Sequence, residues 1–286
     1  AHSLSLGGYE TTLIGRMHFN GLDQLHGFDR RVGKDICTIQ AGMCFTGAPG
    51  LQFDYSGADL KKIYAAENNA SYQYDQYVVQ LTKQYLRECH EQKQAIVVGT
   101  YMPHMPLGAD ADKVEYYRDK VKNTLHTLNV DYVCSYLNNR SNFTPDETEK
   151  MIECRANYYA MIEKEDELVG EVYEAYRDYL KRKGTKGIFA YVSDHGDHMG
   201  DRRRIGKQTF FEKSSKIPMI IAGDGISHQV IDTPVSLLDL TYTLCEIGGG
   251  MQLPPADGRS LIPALRGEKL EARSLISECL GKGRKQ

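Results

Sequence analysis

The sequence predicts an α/β fold, a mostly parallel sheet flanked by helices on both faces and incomplete at both ends. Three observations lead there. Short runs rich in Val, Ile and Tyr, at 95–101 (AIVVGTY), 187–193 (GIFAYVS) and 217–222 (IPMIIA), alternate with long helical patterns. Each run is apolar enough for burial on both faces, as parallel strands usually are. Each also ends near polar or Pro-rich sequence, where ligand-binding loops of such sheets begin.

Taken along the chain, residues 7–17 read as a turn into a first strand, and a helix is expected from 72 to about 92. The best-signalled helix begins at Thr144, where Thr144, Pro145 and Glu147 supply the N-cap, the N1 proline and the N3 acid of a capping box. Met151, Tyr158, Ile162, Val169, Val172, Tyr176 and Tyr179 then recur at helical spacing, and Lys181-Arg182-Lys183-Gly184 gives a basic last turn and a C-cap glycine. Another helix is expected over 234–246, before the glycines 248–250, and 274–277 (SLIS) look like the start of a further strand. Both ends are therefore expected to fall within the fold. No repeat, low-complexity segment or linker marks a boundary, so one domain is the default.

Composition narrows the function classes. At 286 residues, with 41% hydrophobic and 26% charged residues, the chain can bury a sizeable core and is neither disordered nor fibrous. A net charge of -3, from 35 basic and 38 acidic residues, provides no general field for nucleic acid or an anionic membrane. No apolar stretch approaches the roughly 20 residues needed to cross a bilayer, and the first residues lack a signal-peptide core. Seven cysteines without a Cys-x-x-Cys pair suit a reduced compartment such as the cytoplasm better than a disulfide framework, with a periplasmic or secreted setting left open. Sequons at Asn69, Asn139 and Asn142 would matter only in a glycosylating secretory pathway. The 19 tyrosines could cage a cationic group, although helix packing accounts for most of them more simply.

The segment that points to chemistry is SDHGDHMGDRRRIGKQTFFE, residues 193–212, directly after an expected buried strand. A carboxylate and an imidazole at Asp194 and His195 could share one divalent cation, Gly196 letting the backbone turn away, and Lys207 follows as a cation for a bound anion. A lone Asp-His-Gly is more often a plain turn. A phosphate-loop reading fails because five residues separate Gly200 from Gly206 where four are needed, and Gln208 stands where a hydroxyl should hold magnesium. Two further strand ends carry histidines: GGYETTLIGRMHF (7–19) places Arg16 and His18, and TYMPHMPLG (100–108) places His104 between Pro103 and Pro106.

Together, and in this order, the three segments resemble the sulfatases of the alkaline-phosphatase superfamily. Stretches 158–172 and 234–268 also look like a family helix and the closing segment of its main domain, and HFNGLDQLHGFDRR (18–31) looks closest to the choline-sulfatase-like branch. The resemblance implies a partial catalytic domain over 1–268 and the start of a C-terminal subdomain over 269–286. It implies Asp194 and His195 as metal ligands, Arg16 and Lys207 as sulfate-binding cations, and His18 and His104 as catalytic groups that handle protons. Arg16 replaces the family's Lys, which exchanges a point charge for a planar fork. Calcium is the implied metal, with manganese or zinc left open by the histidine ligand.

In such enzymes a formylglycine, made from Cys or Ser within Cys/Ser-x-Pro-x-Arg, attacks sulfur as a hydrated aldehyde. That motif and the paired aspartates completing the metal site do not occur in these 286 residues. The implied partner is a small sulfate ester, with neither nucleic acid nor membrane, and a homo-oligomer is compatible with the sequence. Two alternatives stand beside sulfate-ester hydrolysis: a phosphodiesterase or phosphonate monoester hydrolase of the same superfamily, and an inactive sulfatase-like binding or structural protein.

Overall fold

The fold was obtained as a computed structural model, which describes residues 1–19, 21–36, 69–122, 124, 144–201, 205–207, 209–249 and 257–278. Cys37, Cys44, Cys134, Cys279, Asn139, Asn142 and Gln208 lie outside these residues.

A short helix α1 (His2–Leu6) leads into β1 (Tyr9–Gly15), which β2 (Arg30–Val32) and β3 (Lys93–Gly99) flank in the order β2-β1-β3, all parallel. Register runs from Tyr9 opposite Lys93 to Gly15 opposite Gly99, so β1 and β3 end together. β4 (Ile188–Val192) and β5 (Met219–Gly223) form a separate antiparallel pair. The strands expected within 7–17, 95–101, 187–193 and 217–222 are thus present to within two residues, and α/β architecture holds.

Burial departs from expectation. The strand buried throughout its second half is β1, with Leu13 and Ile14 at 0% exposure, because it lies between two neighbours. β3 and β4 are only half-buried: among the described residues each pairs along one edge, which leaves Val97 39% and Ile220 of β5 61% exposed. Residues 274–277 do not form a strand. They find no sheet edge, and Ile276 is 90% exposed.

Helix α2 (Ala70–Arg87) lies on the sheet through Tyr74, Val78 and Tyr85, packed with Ile14, Ile96 and Val98. Its N-cap is Asn69, fully buried, accepting from Ser71 N–H and Tyr72 N–H while its amide donates to the Gly108 carbonyl. That sequon is a capping device inside the fold. Helix α3 (Ala111–Val121) packs on the long helix α4 (Pro145–Lys183), whose capping box forms as the sequence predicts and whose C-cap Gly184 is left-handed at φ 63°.

The face α4 buries is shifted from the predicted one. Met151, Val172 and Tyr179 are inside as expected, but Ala156, Ala160, Met161, Glu165 and Leu168 complete the face, while Ile162 is 40% exposed. Small residues matter there because α3 approaches closely through Val114 and Val121. The apolar cluster then joins Val79 of α2, Met161, Leu168 and Val172 of α4, Met102, Met199 and Phe189 of β4, so α4 ties the sheet to the β4 side. At its end Arg182 donates to the Leu86 and Arg87 carbonyls, covering acceptors that the end of α2 leaves unpaired. Short helices α5 (Glu212–Ser215), α6 (Leu237–Ile247) and α7 (Ile262–Leu265) complete the described structure. Tyrosines pack in stacks along these helices, such as Tyr117 with Tyr159 and Tyr176 with Tyr179.

Candidate active site

The site is built on strand ends. Where β1 and β3 finish together, Arg16 N–H donates to the Gly99 carbonyl at 2.8 Å, and a Cβ on Gly99 would collide with the Arg16 carbonyl oxygen. Only glycine permits that approach, which sets the departure of both following loops.

After β1 the chain turns sharply, with His18 in the left-handed region at φ 55°. Met17 N–H and His18 N–H both donate to Asp35 Oδ2, at 3.0 and 2.7 Å. Arg31 reaches the same oxygen at 3.3 Å, the two side chains being 5% and 0% exposed. Arg16 Nη2 lies 3.5 Å from His18 Nδ1, and its guanidinium sits over the Tyr101 ring at 4.9 Å. Burial, then the charge of Arg16, holds His18 below the usual imidazole range, against an opposing pull from Asp35.

After β3, Tyr101 N–H and Met102 N–H donate to the two oxygens of Asp75 at 2.6 and 2.7 Å. The loop contains two cis bonds, at Met102–Pro103 and Met105–Pro106. His104 packs against Tyr101 with ring centroids 4.8 Å apart, and Nδ1 donates to the Met105 carbonyl at 2.9 Å. That bond assigns the proton to Nδ1 and leaves the lone pair on Nε2. Burial lowers His104 to about 4, opposed by the Met105 bond and assisted by Lys207, Arg16 and His195. At neutral pH it is therefore an acceptor at Nε2, and acts as a proton donor only after taking a proton.

After β4, Ser193 Oγ donates to the His195 carbonyl, and His195 N–H to Asp194 Oδ1. His195 Nδ1 donates to the Gly196 carbonyl at 2.9 Å, so Nε2 carries the lone pair, 3.3 Å from Asp194 Oδ2 and accepting from Lys207 Nζ at 2.6 Å. Gly196 is required for a different reason from the expected turn: a Cβ there would meet the Lys213 carbonyl oxygen, and Gly196 N–H donates to Ser214 O. Asp197 closes the following loop by accepting from Met199 N–H and Gly206 N–H, both at 2.9 Å, which delivers Lys207 back to His195.

All six residues singled out in the sequence come together here. His18 feels the charges of Arg16, Lys207 and Asp194, and His104 those of Lys207, Arg16 and His195. The donor chemistry suits a divalent cation in part: Asp194 offers a carboxylate, and His195 Nε2 is oriented by a backbone carbonyl behind it, as metal-bound histidines are. Two ligands are fewer than the six to eight oxygens calcium takes, and no group of three or more His, Cys, Asp or Glu side chains suited to a metal gathers among the described residues.

Four residues supporting the site are not apparent from sequence motifs: Asp35, Asp75, Tyr101 and Glu165. Glu165 on α4 accepts from Thr100 Oγ1 at 2.6 Å and is 3% exposed. Burial raises both Glu165 and Asp75, and the charge of Asp75 adds to the effect on Glu165. The available signal was an acid at a core-facing helical position, Asp75 beside Tyr74 and Val78, and Glu165 between Met161 and Leu168.

The family model described as Sulfatase matches residues 2–250. A choline-sulfatase of Rhizobium meliloti is 33% identical over 93% of this chain and 56% of its own length. Arylsulfatase K of Danio rerio is 37% identical over 48% of the chain and 25% of that protein. Among solved structures, a phosphonate monoester hydrolase of Agrobacterium radiobacter superposes with a TM-score of 0.66 at 19% identity, covering 95% of this chain and 62% of the other. A 2-O GAG sulfatase superposes at 0.58 and 19%, covering 93% and 56%. The chain thus spans little more than half the length of the choline-sulfatase it matches. No helix among the described residues is long and apolar enough to cross a membrane. With its family model matched over residues 2–250 and its three motif loops meeting at one site, the chain belongs to the sulfatase family.

Proposed function

We propose that this chain supplies the anion-binding and proton-handling side of a sulfatase active site, and that the whole protein hydrolyses a small sulfate ester. The observation that carries the reading is the convergence of two cations, Arg16 and Lys207, with two half-buried histidines, His18 and His104, which follow the parallel strands β1 and β3.

Arg16 would clamp two oxygens of the tetrahedral anion, its plane fixed by stacking on Tyr101. Lys207 would take a third oxygen, leaving His195 Nε2 as it does so. Asp194 and His195 would hold the divalent cation, calcium by family precedent, which when bound would draw charge from a sulfate oxygen. His104 Nε2 would accept a hydrogen bond in the empty site. Once the negative charge of a bound ester favours protonation, it would donate to the leaving oxygen. His18 lies beside Arg16, placed to exchange a proton with an attacking hydroxyl.

The nucleophile in this proposal is a formylglycine from a part of the protein outside these 286 residues, none of which form Cys/Ser-x-Pro-x-Arg. Among described cysteines, Cys154 is buried, and burial pushes its thiol to about 11, so it does not serve. The identity with choline-sulfatase favours an ester of a small cationic alcohol. The test is hydrolysis by the whole protein of choline sulfate and p-nitrophenyl sulfate against phenyl phosphonate and bis-p-nitrophenyl phosphate. Preference for the sulfates supports the reading, and preference for the phosphorus esters replaces it.

A further inference from the structure

The two histidine loops share a construction that the proposed chemistry does not itself require. Each leaves the end of a parallel strand, β1 or β3, and in each the two backbone N–H groups at the loop's root are taken by one buried carboxylate from elsewhere in the chain. Asp35 Oδ2 accepts from Met17 and His18. Asp75, reaching up from α2, accepts from Tyr101 with Oδ1 and from Met102 with Oδ2. Both aspartates are 0% exposed.

Burying a carboxylate is costly unless hydrogen bonds surround it, so each must be repaid locally. Charge-assisted N–H bonds are the strong kind. The geometry shows what they hold. His18 sits at φ 55°, a conformation unfavourable for a residue with a Cβ, and its own N–H is one of the two that Asp35 receives. At the second loop, the root residue Tyr101 accepts the N–H of His104, donates its hydroxyl to the Met105 carbonyl, and presents its ring to both His104 and Arg16. Fixing Tyr101 N–H therefore fixes the residue against which two site side chains rest.

We propose that Asp35 and Asp75 are positioning residues, each setting the reactive geometry of one histidine, His18 and His104 respectively, through the paired N–H groups at the root of its loop. This assignment rests on the proposed function for its consequence in turnover, but its geometry can be tested separately. The two should respond differently to amide replacement. Asn at 35 keeps an oxygen for the Met17 and His18 N–H groups but gives up the charge that Arg31 meets, so Asp35→Asn should preserve part of what Asp35→Ala loses. At 75 both oxygens are used, so Asp75→Asn puts an NH2 against an N–H and should not rescue.

The experiment follows the Cε1–Hε1 NMR signals of the histidines in the whole protein, with thermal melts as a check on folding. Asp35→Ala should move the His18 signal and leave His104 in place, Asp35→Asn should move His18 less than Asp35→Ala does, and Asp75→Asn should move His104 alone. In turnover, Asp35→Ala and Asp75→Asn should lower kcat about 10²-fold while KM stays nearly constant, because alignment and not ground-state binding is lost. Folded Asp35→Ala or Asp75→Asn variants whose His18 and His104 signals do not move, or move together, overturn the proposal. Should Asp75→Asn fail to fold, amide exchange in the unaltered protein decides. Met17, His18, Tyr101 and Met102 amides about 100-fold slower than other loop amides support it, and loop-like exchange overturns it. Selective NMR shifts in a protein that turns over no sulfate ester would support the positioning and sink the functional reading alone.

Discussion

The guanidinium of Arg16 lies over the ring of Tyr101, 4.9 Å from its centroid, and the same ring packs against His104 with centroids 4.8 Å apart. One aromatic plane thus sets the orientation of a cation and an imidazole from two different loops. Lysine at position 16 would keep the charge but lose the fork and the stacking. Arg16→Lys is expected to raise KM for a sulfate ester roughly tenfold, and Tyr101→Leu to lower kcat as well, because His104 loses its wall. Steady-state kinetics on the two variants would check this.

Lys207 Nζ donates to His195 Nε2, the atom that a metal ion would need. A divalent cation and this hydrogen bond are mutually exclusive at that lone pair. Adding calcium or manganese to the metal-free protein is therefore expected to shift the His195 Cε1–Hε1 signal, and Asp194→Ala should weaken the apparent affinity about tenfold or more. Chelation should abolish turnover and the same ion should restore it. A His195 signal indifferent to every divalent ion would remove Asp194 and His195 from the ligand set.

The buried acid of α4 makes a prediction with a definite sign. Glu165 has its carboxyl raised by burial, then by Asp75, so the folded state keeps a proton there that the unfolded chain has released. Between the ordinary glutamate range and the raised folded value, the native state binds more protons, and this group costs stability as pH rises. Glu165→Gln retains an acceptor for Thr100 Oγ1 and removes the titration. Its melting temperature relative to the unaltered protein should therefore climb from pH 4.5 toward neutrality, as thermal melts across that range would show. A difference independent of pH would mean that Glu165 is ionised in the fold.

His104 behaves in the opposite direction. Its folded value of about 4 lies below that of an unfolded imidazole, so protonation on acidification favours unfolding, and its contribution is lost as pH falls from 6.5 toward 4. An NMR titration of the free protein should place its midpoint near 4, and sulfate should raise it. His104→Ala is expected to reduce kcat by about 10² to 10⁴, the range for a lost general acid.

How much of this could be read from the residues follows from how local each signal is. Helix α4 was predicted to its caps, because Thr144, Glu147 and Gly184 act within one turn. His18, His104, Asp194, His195 and Lys207 stand in loops that follow β1, β3 and β4, places that short motifs after strand runs announce in the sequence. Asp75 was not, since its partners lie 26 and 27 residues away, and nothing in YDQYVV indicates that a core-facing acid will bind a loop on another element. Asp35 was hidden for the same reason. Residues 274–277 show the reverse error: a short run such as Ser274-Leu275-Ile276-Ser277 becomes a strand only where a sheet edge receives it, and here it stays exposed.

Arg16 and Lys207 are proposed to form a sulfate-ester site. The measurement that tests it most directly is turnover of choline sulfate and p-nitrophenyl sulfate by the whole protein and by its Arg16→Ala and Lys207→Ala variants. Expected are hydrolysis by the unaltered protein, losses of about 10²-fold or more in kcat/KM for each variant, and no turnover by the 286-residue chain alone, which lacks the nucleophile motif. Variants as active as the unaltered protein, or robust turnover by the 286 residues alone, would contradict it.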